Sequence, residues 1–318
     1  MNLDAYDRKI LFALDQNARE SYIQLAKKSG LSKDSVKYRI NNYLKNSLLG
    51  GFYALIDSSK LGYYAFRVYF LFKNTTHKDE KIILEYLKNQ KRVFYLFRVE
   101  GNFDVGLGYF AKSLKEFSDF ITQFGNKFSK VEIFKEELFV SLYHFDRNYL
   151  INKKRIQIPK EILQEPREIK LDKIDLELLK MISNNARIKI IDMCEKLNLT
   201  SKAVIYRLKN LEKNKVIIGY KAKLNLEKIN YSMYKTDFII RNKKIIKDVE
   251  SYILQLPNII HMEKVLGGLD LEFDIECRNY KEFKKILDDI KEHFGREIEK
   301  ISYYRTTEII KTTYFPEK

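Results

Sequence analysis

The chain is poor in the residues that stabilise small secreted proteins, and it lacks long apolar runs. It contains two cysteines, Cys194 and Cys277, four prolines and no tryptophan. Two cysteines this far apart fit neither a disulfide framework nor a metal-ligand spacing, and they indicate a reducing compartment. The apolar stretch 63–72 is interrupted by Arg67, so nothing approaches the roughly 18 apolar residues of a membrane span. No signal peptide is evident, and a cytoplasmic location without membrane attachment is expected.

Acidic residues are in deficit. Lys and Arg together number 59 against 43 Asp and Glu, which gives a formal net charge of +16 and an isoelectric point near 9.4. Such a balance favours a polyanionic partner such as nucleic acid, although ribosomal and membrane-surface proteins share it. With 45% hydrophobic residues among 318, the chain can bury large cores and is expected to form two or more globular domains.

Motifs of the common catalytic and metal sites are absent from the sequence. It has no phosphate-binding glycine loop, no His-Glu-x-x-His and no Cys-x-x-Cys pair. The four histidines are scattered, and each is interpreted as a surface or core residue rather than a ligand or a base: His77, His144, His261 and His293. We therefore predict no catalytic residue, no metal site and no cofactor, and we expect the protein not to be an enzyme.

The main organisational feature is an internal repeat. Residues 3–52 align without a gap with residues 171–220, and about a third of the positions are identical. A weaker match of Gly101-Asn102-Phe103-Asp104 with Gly267-Gly268-Leu269-Asp270 extends the similarity, so the whole unit is duplicated. The identical residues include Asn17-Ala18-Arg19 with Asn185-Ala186-Arg187, Val36 with Val204, Tyr38-Arg39 with Tyr206-Arg207, and Gly51 with Gly219.

Each copy begins with three predicted helices. In the first copy, Asp4 is a good N-cap for the first helix and Ser32 for the third. After Gly50-Gly51, an apolar alternation through residues 52–56 predicts a wing hairpin, which completes a winged helix-turn-helix. Apolar residues of the third helix recur at helical spacing and are expected to face inward: Val36, Ile40, and Tyr43 or Leu44.

The remainder of each copy alternates strands and helices in the order βαββαβ, which predicts a ferredoxin-like sandwich. The fold class is therefore α+β, a tandem duplication of a winged helix-turn-helix with a ferredoxin-like domain. A linker carrying Pro159 and Pro166, with room for one short helical turn, joins the copies. The predicted boundaries are 1–60 and 170–228 for the winged helix-turn-helix domains, 61–147 and 229–318 for the ferredoxin-like domains, and 148–169 for the linker.

Basic residues are concentrated around the third helix of each copy. Residues 27–46 contain six basic side chains and one acidic side chain, and so do residues 196–215. A capped helix with a basic outer face can enter the major groove of DNA and present side chains to base edges. A basic helix face is also ordinary solvated surface, but its repetition in both copies favours a DNA-binding role.

These features, in this order, resemble the Lrp/AsnC family of bacterial and archaeal regulators, also called feast/famine proteins. The first copy matches in Leu3-Asp4-x-x-Asp7-x-x-Ile10-Leu11, Asn17-Ala18-Arg19, Leu31-Ser32 to Arg39-Ile40, Gly51-Phe52-x-Ala54, Leu61-Gly62-Tyr63 and Gly101-x-x-Asp104. The second copy matches in Leu171-Asp172-x-x-Asp175, Leu199-Thr200 to Arg207-Leu208, Gly219-Tyr220-x-Ala222 and Gly267-x-x-Asp270.

The resemblance implies binding of double-stranded DNA by the winged helices and pairing of the α/β domains into dimers. Sensing of amino acids or related small effectors is also common in the family. Two units in one chain further imply a pseudo-dimer within a single polypeptide, which is able to self-associate through its ferredoxin-like domains. Because the third helices of the two copies differ in sequence, we expect an imperfectly palindromic or asymmetric DNA site.

The predicted DNA-binding residues lie on the third helix of each copy: Ser32, Lys33, Ser35, Lys37, Tyr38, Arg39, Thr200, Ser201, Lys202, Tyr206 and Arg207. Among these, the lysines and Ser201 are candidates for base or phosphate contacts, and the two arginines for phosphate contacts. Ser32 and Thr200 are predicted to cap their helices. The two tyrosines either contact the DNA backbone or pack against the helix scaffold.

The hairpin turns of both α/β domains are the effector site that the resemblance implies. Glycine and aspartate are also the residues that a hairpin turn needs for backbone reasons alone, so a purely structural role stays open. The effector candidates are Gly101, Asn102, Asp104, Gly267, Gly268 and Asp270.

Two other functions fit the same fold. Siroheme decarboxylases share the Lrp/AsnC fold and combine two related units. Their turn resembles His-x-Tyr-Asn-x-Trp, whereas residues 99–104 here read Val-Glu-Gly-Asn-Phe-Asp, and the chain has no tryptophan. A non-specific architectural DNA-binding protein would use the same basic surface. Competition by random DNA separates that reading from a regulator, because only a regulator has a large specificity ratio.

Overall fold

The computed structural model describes residues 2–155, 159–162 and 165–316. The first copy contains α1 (Ala5–Gln16), α2 (Tyr22–Ser29), α3 (Lys33–Lys45), β1 (Leu49–Ile56), β2 (Tyr64–Phe72), α4 (His77–Asn89), β3 (Val93–Glu100), β4 (Val105–Ala111), α5 (Leu114–Lys127) and β5 (Val131–His144). After β6 (Lys160–Ile162), the second copy contains α6 (Lys173–Asn184), α7 (Ile190–Leu197), α8 (Ser201–Lys213), β7 (Ile217–Leu224), β8 (Ser232–Ile240), α9 (Ile246–Ile253), β9 (Ile259–Leu266), β10 (Leu271–Cys277), α10 (Tyr280–Phe294) and β11 (Ile298–Thr312). The two copies repeat the same order of elements.

Three helices and one strand form a compact unit in each copy, called head 1 (α1–α3 and β1) and head 2 (α6–α8 and β7). The sequence interpretation of a wing hairpin is wrong for the described residues. Strand β1 pairs antiparallel with β7 of the other copy, with Phe52 opposite Ala222 and Ala54 opposite Tyr220. A hairpin needs a tight turn inside the segment, and β1 instead runs as one uninterrupted strand of eight residues.

The α/β parts of the two copies join into one closed ring of eight antiparallel strands, called the ring. Its order is β2-β4-β3-β11-β8-β10-β9-β5, and β5 pairs back onto β2. Each copy contributes four neighbouring strands, and the copies meet at two seams, β3 with β11 and β5 with β9. Because every strand of a closed ring has two neighbours, no long edge is left unpaired.

Each sheet half has its own apolar core. In the first copy, Phe66, Val68 and Phe70 of β2 pack with residues of α4 and α5. Tyr234 and Phe238 of β8 make the equivalent core with α9 and α10. Alternate residues of a strand point to opposite faces, so Arg67 and Tyr69 of β2 point toward the inside of the ring. A third core joins both heads to the adjoining end of the ring.

The predicted linker region is partly structured. It begins with a short helical turn, Asn148–Leu150, and it supplies β6, which pairs with the end of β5 at Leu142 and His144. The sequence did not indicate this strand; Pro159 directly precedes it. Residues 156–158 and 163–164 of the linker lie outside the described residues. Among the helices of the described chain, none is long and apolar enough to cross a membrane.

Candidate nucleic-acid interface

Helix α3 presents the predicted polar face to solvent. The Ser32 hydroxyl caps it by accepting a hydrogen bond from the Ser35 amide at 3.1 Å, as predicted. Val36, Ile40 and Tyr43 are buried in head 1, and Leu44, the alternative to Tyr43, is exposed. The predicted DNA-binding side chains Lys33, Ser35 and Lys37 are all exposed. The face available to DNA is therefore the one that the helical spacing indicates.

Helix α8 repeats this arrangement in head 2. The Thr200 hydroxyl accepts a hydrogen bond from the Ala203 amide at 3.2 Å, which confirms it as the cap. The apolar side chains of Val204, Leu208 and Leu211 are buried, and Ser201 and Lys202 are exposed. Both heads thus expose the first two turns of a capped helix, the part of a recognition helix that contacts base edges.

The two predicted tyrosines do not pack against the scaffold. Tyr38 is 68% exposed and Tyr206 is 70% exposed, at equivalent positions of α3 and α8. Ile205, next to Tyr206, is 41% exposed. A tyrosine left in water on a basic helix face can donate a hydrogen bond to a phosphate oxygen, so the first of the two sequence interpretations is favoured.

Arg39 and Arg207 are engaged in scaffold contacts. The Arg39 Nη1 atom lies 2.8 Å from Asp4 Oδ2 and 2.5 Å from Asp7 Oδ1, and Arg207 makes the same pair of contacts with Asp172 and Asp175. These carboxylates also cap the first helix of their head. The arginines therefore fix the angle between the first and third helices, while their predicted phosphate contact stays a prediction.

The repeated Asn-Ala-Arg triplets join the two heads. In each triplet the Asn side chain accepts from the Arg backbone amide, which shapes the turn after the first helix. The Ala18 amide donates to Tyr220 O of β7, and the Ala186 amide donates to Phe52 O of β1. We call these contacts and the arginine contacts below the triplet contacts. The repeat of the triplet is visible in the sequence, but its role in joining the heads is not.

The arginines of the triplets reach across to the opposite head. Arg19 Nη1 donates to Ala186 O at 2.7 Å, and Arg187 Nη1 donates to Ala18 O at 2.6 Å. Each guanidinium also lies over an aromatic ring of the partner strand, Arg19 over Tyr220 and Arg187 over Phe52. The positions of α3 and α8 relative to each other are thus set by a reciprocal pair of arginine contacts.

We expect the double substitution Arg19→Met and Arg187→Met to lower the free energy of unfolding by about 2–4 kcal/mol, because charged hydrogen bonds to carbonyls contribute about 1.5–3 kcal/mol each and partly share their surroundings. Urea unfolding followed by circular dichroism measures it. Lys9→Met, which changes an exposed side chain of α1, is the matched control and should cost less than about 0.5 kcal/mol. Equal losses in both variants would mean that the triplet contacts do not hold the heads together.

The predicted effector turns lie at the seams of the ring. A Cβ atom at Gly101 would lie 2.8 Å from Tyr304 Cβ of β11, and one at Gly267, where φ is +87°, would lie 2.9 Å from Glu136 O of β5. The Asp104 carboxylate accepts from the Phe72 amide, and Asp270 accepts from the Ile240 amide, both at 2.7 Å. Glycine and aspartate therefore have backbone roles in both turns. Asn102 and Gly268 have no hydrogen bond of this kind among the described residues, and effector binding at the turns stays a prediction.

A buried ionic cluster inside the ring joins the copies. The Arg67 guanidinium bonds to Glu137 of its own copy and to Glu263 and Glu272 of the second copy, and Lys235 also pairs with Glu263. The Arg67 side chain is 5% exposed. In the sequence, the only sign of this cluster is that Arg67 interrupts an apolar run, which marks a charge on a buried strand.

Two of the scattered histidines meet in the structure. His261 Nε2 lies 3.1 Å from His144 Nδ1, and His261 Nδ1 lies 2.8 Å from Asp274 Oδ2. His77 and His293 are not part of this group. Across residues 2–155, 159–162 and 165–316, no group of three or more His, Cys, Asp and Glu side chains is arranged to hold a metal ion.

The curated proteins that are similar to this chain in sequence are named as transcriptional regulators. A family model described as winged helix-turn-helix DNA-binding matches residues 3–48 and 171–218. An uncharacterized HTH-type transcriptional regulator of Pyrococcus furiosus is 30% identical over 130 residues, which cover 41% of this chain and 84% of that protein. The leucine-responsive regulatory protein of Haemophilus influenzae is 30% identical over 128 residues, 39% of this chain and 77% of that protein.

A similarity that spans the whole chain comes from a solved structure. The siroheme decarboxylase NirDL covers 98% of this chain and 94% of its own, with a TM-score of 0.64 and 12% sequence identity. At this identity the likeness concerns the fold alone, a duplicated unit of the same architecture. The sequence relatives, the matched helix-turn-helix segments and the two exposed capped helices together place the chain in the Lrp/AsnC family of DNA-binding transcriptional regulators.

Proposed function

We propose that the chain is a sequence-specific transcriptional regulator that reads an asymmetric or imperfectly palindromic site in double-stranded DNA with α3 and α8. One observation carries this proposal: two capped, exposed helices with unlike outer faces are held to each other by the triplet contacts. A fixed pair of recognition helices selects half-site spacing, and the side chains on each helix select the bases.

The outer faces of the two helices differ in the chemistry they offer to bases. Helix α3 exposes Lys33 and Lys37, which suit guanine acceptors or phosphates. At the position equivalent to Lys37, α8 exposes Ile205, which suits the methyl group of thymine. Ser201 and Lys202 add one small and one cationic contact to α8. A strictly symmetric selected sequence would therefore count against the proposal.

The proposal includes a covalent pseudo-dimer, in which one chain makes the pairing that two subunits would otherwise make. The charges inside the ring support it. Arg67 of the first copy is neutralised mainly by Glu263 and Glu272 of the second, while the position equivalent to Glu272 in the first copy is Gly106. Pairing two second copies would bury carboxylates in excess of cations, and such unpaired buried charge is costly.

Aromatic packing distinguishes the two copies on the inside of the ring. The rings of Phe94 and Phe97 lie against Gly106 and Gly108, where an added Cβ would come within 2.6 Å and 2.1 Å of ring carbons at Gly108 and Gly106 respectively. The second copy has Glu272 and Asp274 at those positions. These rings and glycines all belong to the first copy, where β3 pairs with β4, so the two copies line the ring with different side chains.

The proposal has three further parts: an effector, self-association and a cellular location. A small effector, such as an amino acid, would bind near the hairpin turns, where the exposed Gly101 and Asn102 lie beside a seam. Chains would associate through the outer face of the ring, which exposes Val140 and Leu266 beside the β5–β9 seam. The protein would act in the cytoplasm, as a DNA-binding regulator.

Selection of bound sequences from a random pool of double-stranded DNA, at near-physiological salt, tests the proposal. We expect a two-part motif. Lys33→Ala with Lys37→Ala should weaken binding to one half about tenfold or more, because each base or phosphate contact contributes about 1–3 kcal/mol. Ser201→Ala with Lys202→Ala is the matched variant and should weaken the other half. Binding of the selected site should fall steeply with added salt.

Other results of these experiments would favour a different function or contradict the proposal. Binding without sequence enrichment, with equal competition by random DNA, would indicate an architectural protein. A haem or siroheme absorbance band on the purified chain would favour an enzyme of the siroheme decarboxylase type, the function of the whole-chain fold relative. Loss of both half-sites in the α3 variant would contradict reading by two separate helices.

A further inference from the structure

A cavity lies between the heads and the ring, called the junction cavity. Its volume is about 150 Å³, and its walls come from β1 and β7 of the heads and from β3, β5, β8, β9, β10 and β11 of the ring. This volume is close to that of protein cavities that hold one benzene molecule. It is well below the roughly 300–1,000 Å³ of pockets for drug-sized ligands, so a tetrapyrrole does not fit it.

One wall of the junction cavity is a chain of hydrogen-bonded polar groups. It runs from Asp274 through His261 and His144 to the Tyr314 hydroxyl, with the last contact, from His144 Nε2, at 3.2 Å. Burial, with the nearby charge on His261 and Lys221, holds the pKa of His144 well below its usual range. His144 is therefore a neutral hydrogen-bonding group, and the fixed negative charge of this wall is on Asp274.

Two polar atoms on the cavity lining have spare hydrogen-bonding capacity. The Tyr95 hydroxyl makes no hydrogen bond within the described part of the chain. Burial raises the pKa of Tyr95 well above its usual range. Asp274 uses Oδ2 for His261, and the nearest cation to its Oδ1 is Lys235 at 3.9 Å. A hydroxyl and a carboxylate oxygen that both lack a close partner make a place for a hydrogen-bond donor.

The rest of the lining is aromatic and apolar. Phe94, Tyr95 and Phe139 come from one side, and Met233 and Ile260 from the other. Among the other ionic groups of the lining, Arg147 holds Glu276 through two hydrogen bonds of 2.8 Å, and Glu263 is held by Arg67 and Lys235. Lys221 donates to Asp15, and Lys223 is exposed to solvent. The groups of the lining that remain available to a ligand are thus two hydrogen-bond acceptors, Asp274 Oδ1 and the Tyr95 hydroxyl, beside aromatic rings. This combination attracts a cation with an apolar body.

We propose that the junction cavity binds a small molecule with one protonated amino group and an apolar body of about the size of a benzene ring. The ammonium group donates to Asp274 Oδ1 and to the Tyr95 hydroxyl. The apolar body lies among Phe94, Phe139 and Met233. This site is separate from the hairpin turns, which lie at the seams near Tyr304 and Glu136.

The walls of the cavity connect it to the heads. Lys221 of β7 lines it and donates from Nζ to Asp15 of α1 at 3.1 Å. Arg147 also lines it, and it joins Asp15 to Glu276 of the ring. A ligand in the cavity therefore touches residues that hold both heads on the ring, and its binding alters DNA affinity. This regulatory part rests on the proposed function, whereas binding of the amine does not.

Benzylamine, benzyl alcohol and benzoate are matched probes, since they share the ring and differ in the charge of the head group. We expect benzylamine at saturating concentration to raise the Tm of the full chain by about 3 °C or more, and the other two to leave it nearly unchanged. Isothermal titration gives the affinity. Tyr95→Phe should weaken benzylamine binding at least threefold, and Asp274→Asn at least tenfold.

Two further variants test whether benzylamine binds in the junction cavity. Tyr86→Phe removes a hydroxyl from another half-buried tyrosine and should leave benzylamine binding unchanged. If Asp274→Asn fails to fold, Met233→Phe replaces it, because the ring of Phe takes up part of the cavity and should weaken benzylamine binding at least tenfold. Equal Tm shifts with all three probes, or benzylamine binding that survives Tyr95→Phe and Met233→Phe, would overturn the site.

DNA binding separates failure of this site from failure of the proposed function. Affinity for the selected DNA is measured with and without benzylamine. A chain that binds the DNA but not the amine disproves only the cavity site. A chain that binds the amine but selects no DNA sequence disproves the proposed function and leaves the site. Amine binding with unchanged DNA affinity contradicts the regulatory part alone.

Discussion

Arg67→Ala is expected to lower the free energy of unfolding by about 3–5 kcal/mol, the usual cost of removing one partner from a buried ion pair. The guanidinium neutralises Glu137, Glu263 and Glu272 inside the ring, and the Arg67 side chain is almost fully buried. Without it, three buried carboxylates share the charges of two lysines, Lys135 and Lys235. Urea unfolding followed by far-ultraviolet circular dichroism measures the loss.

An exposed ion pair across the same ring is the matched control. Arg305 of β11 pairs with Glu100 of β3 at 2.7 Å, and their side chains are 45% and 66% exposed. Arg305→Ala should cost less than about 1 kcal/mol, because solvent screens the pair. Similar losses for the two arginines would show that burial of the cluster does not set its contribution. A second variant, Arg67→Met with Glu272→Gln, should recover part of the loss because it removes charge from both copies.

The helices were predictable from the sequence because their determinants are local. Asp4, Ser32 and Thr200 lie one residue before helices and bond to amides three residues on, which a spacing argument detects. The inward positions of α3 follow from the period of the helix. The βαββαβ order followed in the same way from alternating apolar strands and amphipathic helices.

Pairing between the copies was not predictable by the same reasoning. Strand β1 meets a partner near residue 220, and hydrophobic alternation carries no information about which strand will be the neighbour. The hairpin prediction assumed the nearest neighbour in sequence. One signal was present: β5 and β11 have 14 and 15 residues, longer than a four-stranded sheet of this size needs. Their second halves form the two seams.

The candidate interface was predicted better than the scaffold that supports it. Exposure of Lys33, Lys37 and Lys202 follows from helical spacing, which places them away from the apolar stripe. The partners of Arg39, Asp4 and Asp7, are 35 and 32 residues away in the sequence. Sequence spacing alone therefore does not distinguish a basic residue that stabilises the scaffold from one that contacts DNA. His144 and His261 are separated by 117 positions and meet only because β5 pairs with β9.

The contact of the heads with the ring depends on one carboxylate that the sequence reasoning did not single out. Asp15 of α1 accepts from the Arg147 amide at 2.9 Å, from Arg147 Nη1 at 2.6 Å and from Lys221 Nζ at 3.1 Å. Burial raises its pKa, but the charges of Lys221 and Arg147 and the amide hydrogen bond outweigh burial and hold the pKa at about 2. The equivalent position in the second copy is Ser183, so this anchor exists once per chain.

We expect Asp15→Asn to lower the free energy of unfolding at pH 7 by about 3–5 kcal/mol, because Lys221 and Arg147 keep their buried charges and lose a counter-ion. The wild-type advantage should itself depend on pH. A carboxyl whose pKa is depressed in the folded state stabilises that state above its ordinary pKa of 3.8, and the effect is lost as pH falls toward 2. That loss corresponds to about 2 kcal/mol at 1.36 kcal/mol per unit. Urea unfolding of both proteins between pH 7 and pH 3 measures it, and the difference between them should begin to shrink below pH 4.

Asp119→Asn removes an exposed carboxylate paired with Lys115 and should cost less than about 1 kcal/mol at every pH. A difference between wild type and Asp15→Asn that stays constant down to pH 3 would contradict a depressed pKa, and a difference below 1 kcal/mol at pH 7 would mean that the heads are held to the ring by the apolar core rather than by this anchor.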